Sequence, residues 1–159
     1  MLLKRLAGVA LVGLMLVVAG LSMAEEAKEV AFPKLPKGAG KIDEKAAKTF
    51  TTTESGLKYR ILREGTGAKP TARQKVEVHY HGWLDNEKVF DSSYDRGESI
   101  SFGLNQVIAG WTEGMQQVGK GGMIELEIPS KLGYGDRGSP PVIPAKAQLH
   151  FLVELIDIK

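Results

Sequence analysis

Four stretches of the chain alternate apolar and polar residues with a period of two. GLKYRIL (56–62) sets Leu57, Tyr59 and Ile61 against Lys58 and Arg60. KVEVHYHGWL (75–84) sets Val76, Val78, Tyr80 and Leu84 against Lys75, Glu77, His79 and His81. MIELEI (123–128) sets Ile124, Leu126 and Ile128 against Glu125 and Glu127, and QLHFLVELIDI (148–158) keeps Leu149, Phe151, Val153 and Leu155 in phase. Successive strand side chains point to opposite faces, so each stretch predicts a strand with one buried face, and clean alternation of this kind points to an antiparallel sheet. One stretch predicts a helix. AGWTEGMQQVG (109–119) spaces Trp111, Met115 and Val118 at i, i+4 and i+7 and stops at Gly119. A one-faced sheet and a single short helix have one economical arrangement, in which the sheet curls over the helix and buries Trp111. The expected class is α+β: a twisted antiparallel sheet, a half-barrel, wrapped around one short helix.

Ahead of the strands the pattern changes twice. Residues 1–24 run from a basic start, MLLKR, through the apolar LAGVALVGLMLVVAGL to a small-x-small ending at Ser22-Met23-Ala24. That is the layout of a secretory signal peptide. The alternative is an uncleaved anchor, since Leu6–Ala24 has the length to span a bilayer. Residues 25–49 mix charge, Pro, Gly and Ala without a sustained period, which predicts a flexible linker. The domain is expected from 50 to 159, and the protein in the periplasm or secreted, or membrane-anchored facing the periplasm if the leader is retained.

Composition narrows the chemistry. The 159 residues carry 21 basic and 19 acidic groups, and removing 1–24 takes away Lys4 and Arg5, leaving 21 − 2 = 19 against 19. A balanced chain lacks the basic excess of nucleic-acid binders. There is no cysteine, hence no disulfide, thiol nucleophile or acylated lipoprotein site. GAGK (38–41) is no phosphate loop, because Leu35 and Ile42 stand where GxxxxGK[ST] needs Gly and Ser or Thr. His79 and His81 share a strand face, but with His150 as the one other imidazole a metal site lacks ligands. Ser92 and Ser93 have no G-x-S-x-G elbow around them, and no spacing aims a second carboxylate at Asp91. Asp91 reads either as a turn residue or as a half-buried, hydrogen-bonded carboxylate at a strand end. The loop GYGDRGSPPVIP (133–144) holds three glycines and three of the seven prolines, yet carries Tyr134 and the pair Val142–Ile143. Connecting loops are ordinarily polar, so this one is expected to cover something apolar.

Read in order, VHYHGWL, KVFDSSYDRG, VIAGWTEGM, GGMIELEIPSKLGYG and VIPAKAQLHFLVELIDI resemble the FKBP-type peptidyl-prolyl cis–trans isomerases, of the exported bacterial kind, over residues 50–159. The resemblance implies a proline-ring pocket formed by Tyr80, Phe90, Phe102, Val107, Ile108, Trp111, Ile143 and Phe151, with Trp111 as floor. It implies Asp91 as the wall carboxylate, Arg96 as its neighbour, and the Ile108 N–H and Tyr134 hydroxyl as donors to peptide carbonyls. Asp91, Tyr134 and Ile108 are the expected catalytic groups, and loop 133–144 is the expected flap. The chain departs from the family's pattern at Ile100, Gln106, Ser139 and Ala145, where an aromatic, an acid, His and Pro are common. The implied activity is rotation of Xaa-Pro bonds during folding of exported proteins, with no cofactor and no metal. Implied partners are proline-containing unfolded or nascent polypeptides and the family's macrolide inhibitors. The charge balance argues against nucleic acid, and the 25-residue tether, too short for the long helical dimerisation arm of some exported relatives, points to a monomer. The competing reading is a chaperone or binding module that grips apolar or proline-containing segments without catalysis.

Overall fold

A computed structural model of the protein describes residues 28–159, and the expected signal peptide lies outside the described residues. The alternating stretches form one antiparallel sheet. Its strands are β1 (Thr51–Thr52), β2 (Lys58–Arg63), β3 (Lys75–Leu84), β4 (Val89–Ser92), β5 (Ile100–Gly103), β6 (Met123–Ile128) and β7 (Leu149–Ile158). They run in the order β1-β2-β6-β7-β3-β4, with β5 also on β3. Helix α1 (Ser93–Arg96) follows β4, and α2 (Ala109–Met115) lies between β5 and β6.

Strand β3 alternates between buried and less buried positions along its whole length. Its register against β7 pairs Val78 with Leu155, Tyr80 with Val153 and Leu84 with Leu149. Val76, Val78, Ile124, Leu126, Ile128, Leu149 and Val153 are fully buried in the main core, which Trp111, Met115 and Val118 complete from the α2 side. Each such aliphatic side chain contributes about 1.5–3 kcal/mol on leaving water, so this face of the sheet is where the fold gains most.

Two glycines set how close α2 comes to the sheet. A Cβ on Gly110 would stand 2.5 Å from Ile128 Cγ2, and one on Gly114 would stand 2.6 Å from Leu126 Cδ2. Glycine in a helix costs about 1 kcal/mol relative to alanine, and here it lets the backbone of α2 lie directly on β6. The helix is shorter than the 109–119 spacing suggests. It ends at Met115, and turns carry Val118 into the core without helical geometry.

The sheet is also covered on its other face, which alternation alone does not predict. Residues 28–49, expected as a flexible linker, lie against that face. Leu35, Ala39 and Ile42 pack with Leu62, Met123, Leu152 and Trp83 in a second, smaller core. Polar contacts fix the segment at three points. At the first, Asp43 donates its N–H to the Leu62 carbonyl at 2.8 Å and accepts from the Glu64 N–H at 3.1 Å. At the second, Arg60 on β2 is buried, donating from Nε to Glu125 at 2.7 Å and from its Nη atoms to the carbonyls of Val30, Ala31 and Lys48. Its guanidinium also lies over the rings of Phe32 and Phe50, 5.1 and 4.6 Å from their centroids. At the third, Glu154 on β7 accepts from the Gly40 N–H at 2.9 Å, from Arg63 at 2.5 Å and from the Tyr94 hydroxyl at 2.5 Å. An irregular segment needs no period to seat apolar side chains, so composition read as a tether where the fold has an ordered layer.

Two outcomes follow for stability. Arg60→Ala leaves Glu125 buried without its cation, in a site where burial already pushes that carboxyl above its usual range. Removing one member of a buried pair costs about 3–5 kcal/mol, so the unfolding free energy from a denaturant titration should drop by that amount, and trypsin should cut the 28–49 segment faster. Gly110→Ala gains about 1 kcal/mol of helix propensity but forces a methyl into the β-branched Ile128. Overpacking of this kind costs about 1–3 kcal/mol, so a net loss is expected in a urea titration.

Candidate active site: an aromatic cavity with one hydrogen-bonded carboxylate

The concave side of the sheet, the start of α2 and loop 133–144 enclose a cavity of about 790 Å³. Each element delivers its side chains for a local reason. β3 and β7 send Tyr80 and Phe151 inward because both occupy core-facing positions in register. β4 and β5 supply Phe90 and Phe102. The chain enters α2 through Val107 and Ile108 and places Trp111 in the first turn.

Trp111 is the floor, 4% exposed, and three rings meet it edge to face. Phe151 lies 5.3 Å away at 86°, Tyr80 5.4 Å at 86° and Phe102 5.7 Å at 83°, between centroids. Phe90 meets Phe151 in the same way at 5.4 Å and 85°. Edge-to-face pairs at these separations are favourable beyond their buried area, so the rings hold one another in place. Gly82 makes room for two of them, since a Cβ there would come within 2.6 Å of Phe90 and 2.8 Å of Phe151.

One wall is polar. The Tyr80 hydroxyl donates to Asp91 Oδ2, Arg96 donates to Asp91 Oδ1, and Arg96 Nη2 donates to the Tyr80 oxygen at 3.0 Å. Burial pushes the Asp91 carboxyl up, but the bonds from Tyr80 and Arg96 and the guanidinium charge outweigh it and hold it below its usual value. Burial, then the bond to Asp91, pushes the Tyr80 phenol above its usual value. Asp91 is therefore an anion with both oxygens engaged, the second of the two readings the sequence left open.

At the rim, the Ile108 N–H and the Tyr134 hydroxyl make no hydrogen bond to the described residues, and both groups border the cavity. Loop 133–144 closes on itself through bonds between Ser139 and Ile143 in both directions, at 2.9 and 3.0 Å, and from the Gly138 N–H to the Tyr134 carbonyl at 3.1 Å. Ile143 is buried at the cavity wall, while Tyr134 and Val142 stand exposed over its mouth.

All eleven residues expected at the site, namely Asp91, Tyr134, Ile108, Tyr80, Phe90, Arg96, Phe102, Val107, Trp111, Ile143 and Phe151, line this one cavity. Ile100 and Gln106 line it as well, although neither was expected as a site residue. The signal for them was present, because Ile100 stands two residues before Phe102 and Gln106 directly precedes Val107–Ile108. His79 and His81 lie elsewhere, with Nδ1 atoms 3.0 Å from the hydroxyls of Ser93 and Ser92. Those hydroxyls are buried, and the described residues place no carboxylate on the far ring nitrogens, so the pairs lack the access and the orienting group of a nucleophile.

Comparison with known proteins agrees with this geometry. The family model described as FKBP-type peptidyl-prolyl cis-trans isomerase matches residues 66–156. A probable FKBP-type peptidyl-prolyl cis-trans isomerase of Haemophilus influenzae is 43% identical over 143 residues, covering 88% of this chain and 59% of that protein. The crystal structure of FkpA from Escherichia coli superposes with a TM-score of 0.67 at 46% identity, over 69% of this chain and 51% of that one. A peptidyl-prolyl cis-trans isomerase of Pseudomonas syringae pv. tomato superposes with a TM-score of 0.65 at 36% identity, over 69% and 80% of the two chains. The chain thus spans little more than half the length of the first two of these relatives. Its aromatic cavity, its carboxylate wall and these matches together lead to one conclusion: the chain belongs to the FKBP-type peptidyl-prolyl cis–trans isomerase family.

Proposed function

We propose that this protein accelerates cis–trans rotation of Xaa-Pro bonds in unfolded or nascent polypeptides. The observation that carries the reading is the make-up of the cavity. It is walled by aromatic and aliphatic side chains, its lining includes no Ser, Thr, Cys, His or Lys, and its one carboxylate is bound on both oxygens. Such a site is poorly equipped to break a bond and well equipped to hold a ring.

Prolyl rotation breaks no bond. Its barrier is about 18–20 kcal/mol, and a millionfold acceleration needs about 8 kcal/mol of stabilisation felt in the twisted state alone. Twisting removes amide resonance and leaves a less dipolar carbonyl. A dry, apolar cavity favours that state over the planar amide, which water solvates better. In this reading the pyrrolidine ring rests on Trp111 between Tyr80, Phe102 and Phe151. The Ile108 N–H and Tyr134 hydroxyl take the peptide carbonyls flanking the bond, and the Asp91 anion, held by Tyr80 and Arg96, faces the twisting amide without exchanging a proton.

Residues 50–159 would form the catalytic domain, with the 28–49 layer as part of its folded body. The leader-like residues 1–24 support export, with clients among envelope or secreted proteins whose slow folding step is prolyl isomerisation. Among the described residues no helix is long and apolar enough to cross a membrane. The family's macrolide inhibitors are expected to compete for the same cavity, and the protein is expected to act as a monomer.

Exchange NMR on a proline tetrapeptide, with protein at catalytic concentration, tests the proposal. Wild type should raise the exchange rate well above background. Losing a charged hydrogen-bonding group costs about 1.5–3 kcal/mol, so Asp91→Ala should lower kcat/KM about tenfold to a hundredfold. Tyr134→Phe removes one neutral hydrogen bond, about 0.5–1.5 kcal/mol, and should cost about twofold to tenfold. A folded wild type that leaves the rate at background would make the cavity a binding site and the protein a chaperone or binding module. The pH profile is a second test. With Asp91 titrating below its usual range and Tyr80 above its own, kcat/KM should be flat between about pH 5 and 9. A bell within that window would mean proton transfer and would contradict the mechanism.

A further inference from the structure

We propose that Ser93 is a positioning residue for the cavity: its hydroxyl replaces a missing piece of strand beside Tyr80, and so holds the Tyr80 ring against Asp91. The catalytic consequence rests on the isomerase reading above, whereas the geometric claim does not.

Strand β3 is flanked by β7 along one edge for nearly its full length. Its other edge is shared. β5 pairs with Lys75–Val78, and β4 pairs with His81–Trp83. His79 and Tyr80 fall in the gap between the two partners, where this edge of β3 has no strand to bond to. Ser93 fills that gap. Its Oγ accepts from the Tyr80 N–H at 2.8 Å and donates to the Tyr80 carbonyl at 3.3 Å, the two bonds a neighbouring strand would otherwise make. His79 Nδ1 approaches the same oxygen at 3.0 Å. All three contacts are satisfied together when His79 carries its proton on Nδ1 and the serine accepts two bonds and donates one. Ser93 is fully buried, so water has no route to substitute for it, and a buried backbone pair without partners is strongly disfavoured.

Ser93 also stands two residues after Asp91 and three before Arg96, at the start of α1. The clamp therefore joins the backbone of Tyr80 to the segment carrying both groups that bind its hydroxyl. Tyr80 is held at two ends, the main chain by Ser93 and the phenol by Asp91 and Arg96. Release of the first end lets the ring move on Trp111 and loosens the polar wall. In the proposed pose the proline ring keeps Trp111, Phe102 and Phe151 when Tyr80 shifts, so the loss should fall on turnover more than on affinity.

The test uses three variants of the full chain. Ser93→Ala removes the hydroxyl with the least change of volume. Ser93→Thr and Ser93→Val form a matched pair of equal size, one with the hydroxyl and one with a methyl in its place. In Ser93→Ala, hydrogen exchange at the Tyr80 amide should speed up at least tenfold, while that of Val153 and other amides in the β7 ladder stays within twofold. The Tyr80 phenol should titrate closer to an ordinary tyrosine, kcat should fall about tenfold, and KM should stay within about twofold. Ser93→Thr should restore amide protection and kcat relative to Ser93→Val. Equal behaviour of the Thr and Val variants, or a Ser93→Ala protein that loses thermal stability with unchanged kcat and Tyr80 titration, would overturn the proposal. If wild type itself proves inactive, the isomerase reading falls alone, and the amide exchange and phenol titration still decide whether Ser93 positions Tyr80.

Discussion

The site depends on one packing arrangement, the edge-to-face contact of three rings on the Trp111 indole. That contact needs α2 close to the sheet, and the close approach needs Gly110 and Gly114 against Ile128 and Leu126. Were the helix set farther out by ordinary side chains, Trp111 would leave the reach of Tyr80 and Phe151, and the cavity would lose its floor. Each ring is in turn fixed by a different strand, so no single loop determines the shape of the cavity. A preformed, rigid, apolar recess suits chemistry that needs fit and dryness more than reactive groups.

The polar wall solves the complementary problem. A carboxylate beside an apolar cavity is costly unless it is bound, and Asp91 is bound twice, with Arg96 also reaching the Tyr80 oxygen to close a triangle. Negative charge is thereby placed at the cavity wall while its basicity is held down. The support continues outward through Ser93 to the edge of β3, and on the far face of the sheet through Arg60 and Glu154, which fasten the 28–49 layer. Polar groups buried under that layer are bonded; among the described residues, no buried side-chain nitrogen or oxygen lacks a partner.

Much of this was legible in the sequence because it is periodic. Tyr80, Phe151 and Val153 announce their face by alternation, and Trp111 announces its own by helical spacing. Tyr134 and Ile143 stand out because they lie in a Gly- and Pro-rich loop where polar residues are the rule. What was not legible lacks a period. Leu35 and Ile42 sit in irregular chain, so nothing in their spacing says that they pack on Leu62 and Leu152. Arg60 falls on the polar side of an alternating strand and reads as solvated, although the fold buries it among carbonyls and rings. β5 is four residues long, too short for alternation to register. The role of Ser93 depends on where two other strands stop, which no local pattern encodes.

In the proposed pose a proline ring lies on the Trp111 indole. That pose is tested most directly by titrating a short proline peptide into the protein and following its pyrrolidine protons by NMR. A ring stacked on the indole face should show upfield shifts of its γ and δ protons and cross-relaxation to the Trp111 side chain, both lost in Trp111→Leu. Saturating peptide whose pyrrolidine protons neither shift nor contact Trp111 would contradict the account, and would place the recognition of proline somewhere other than this cavity.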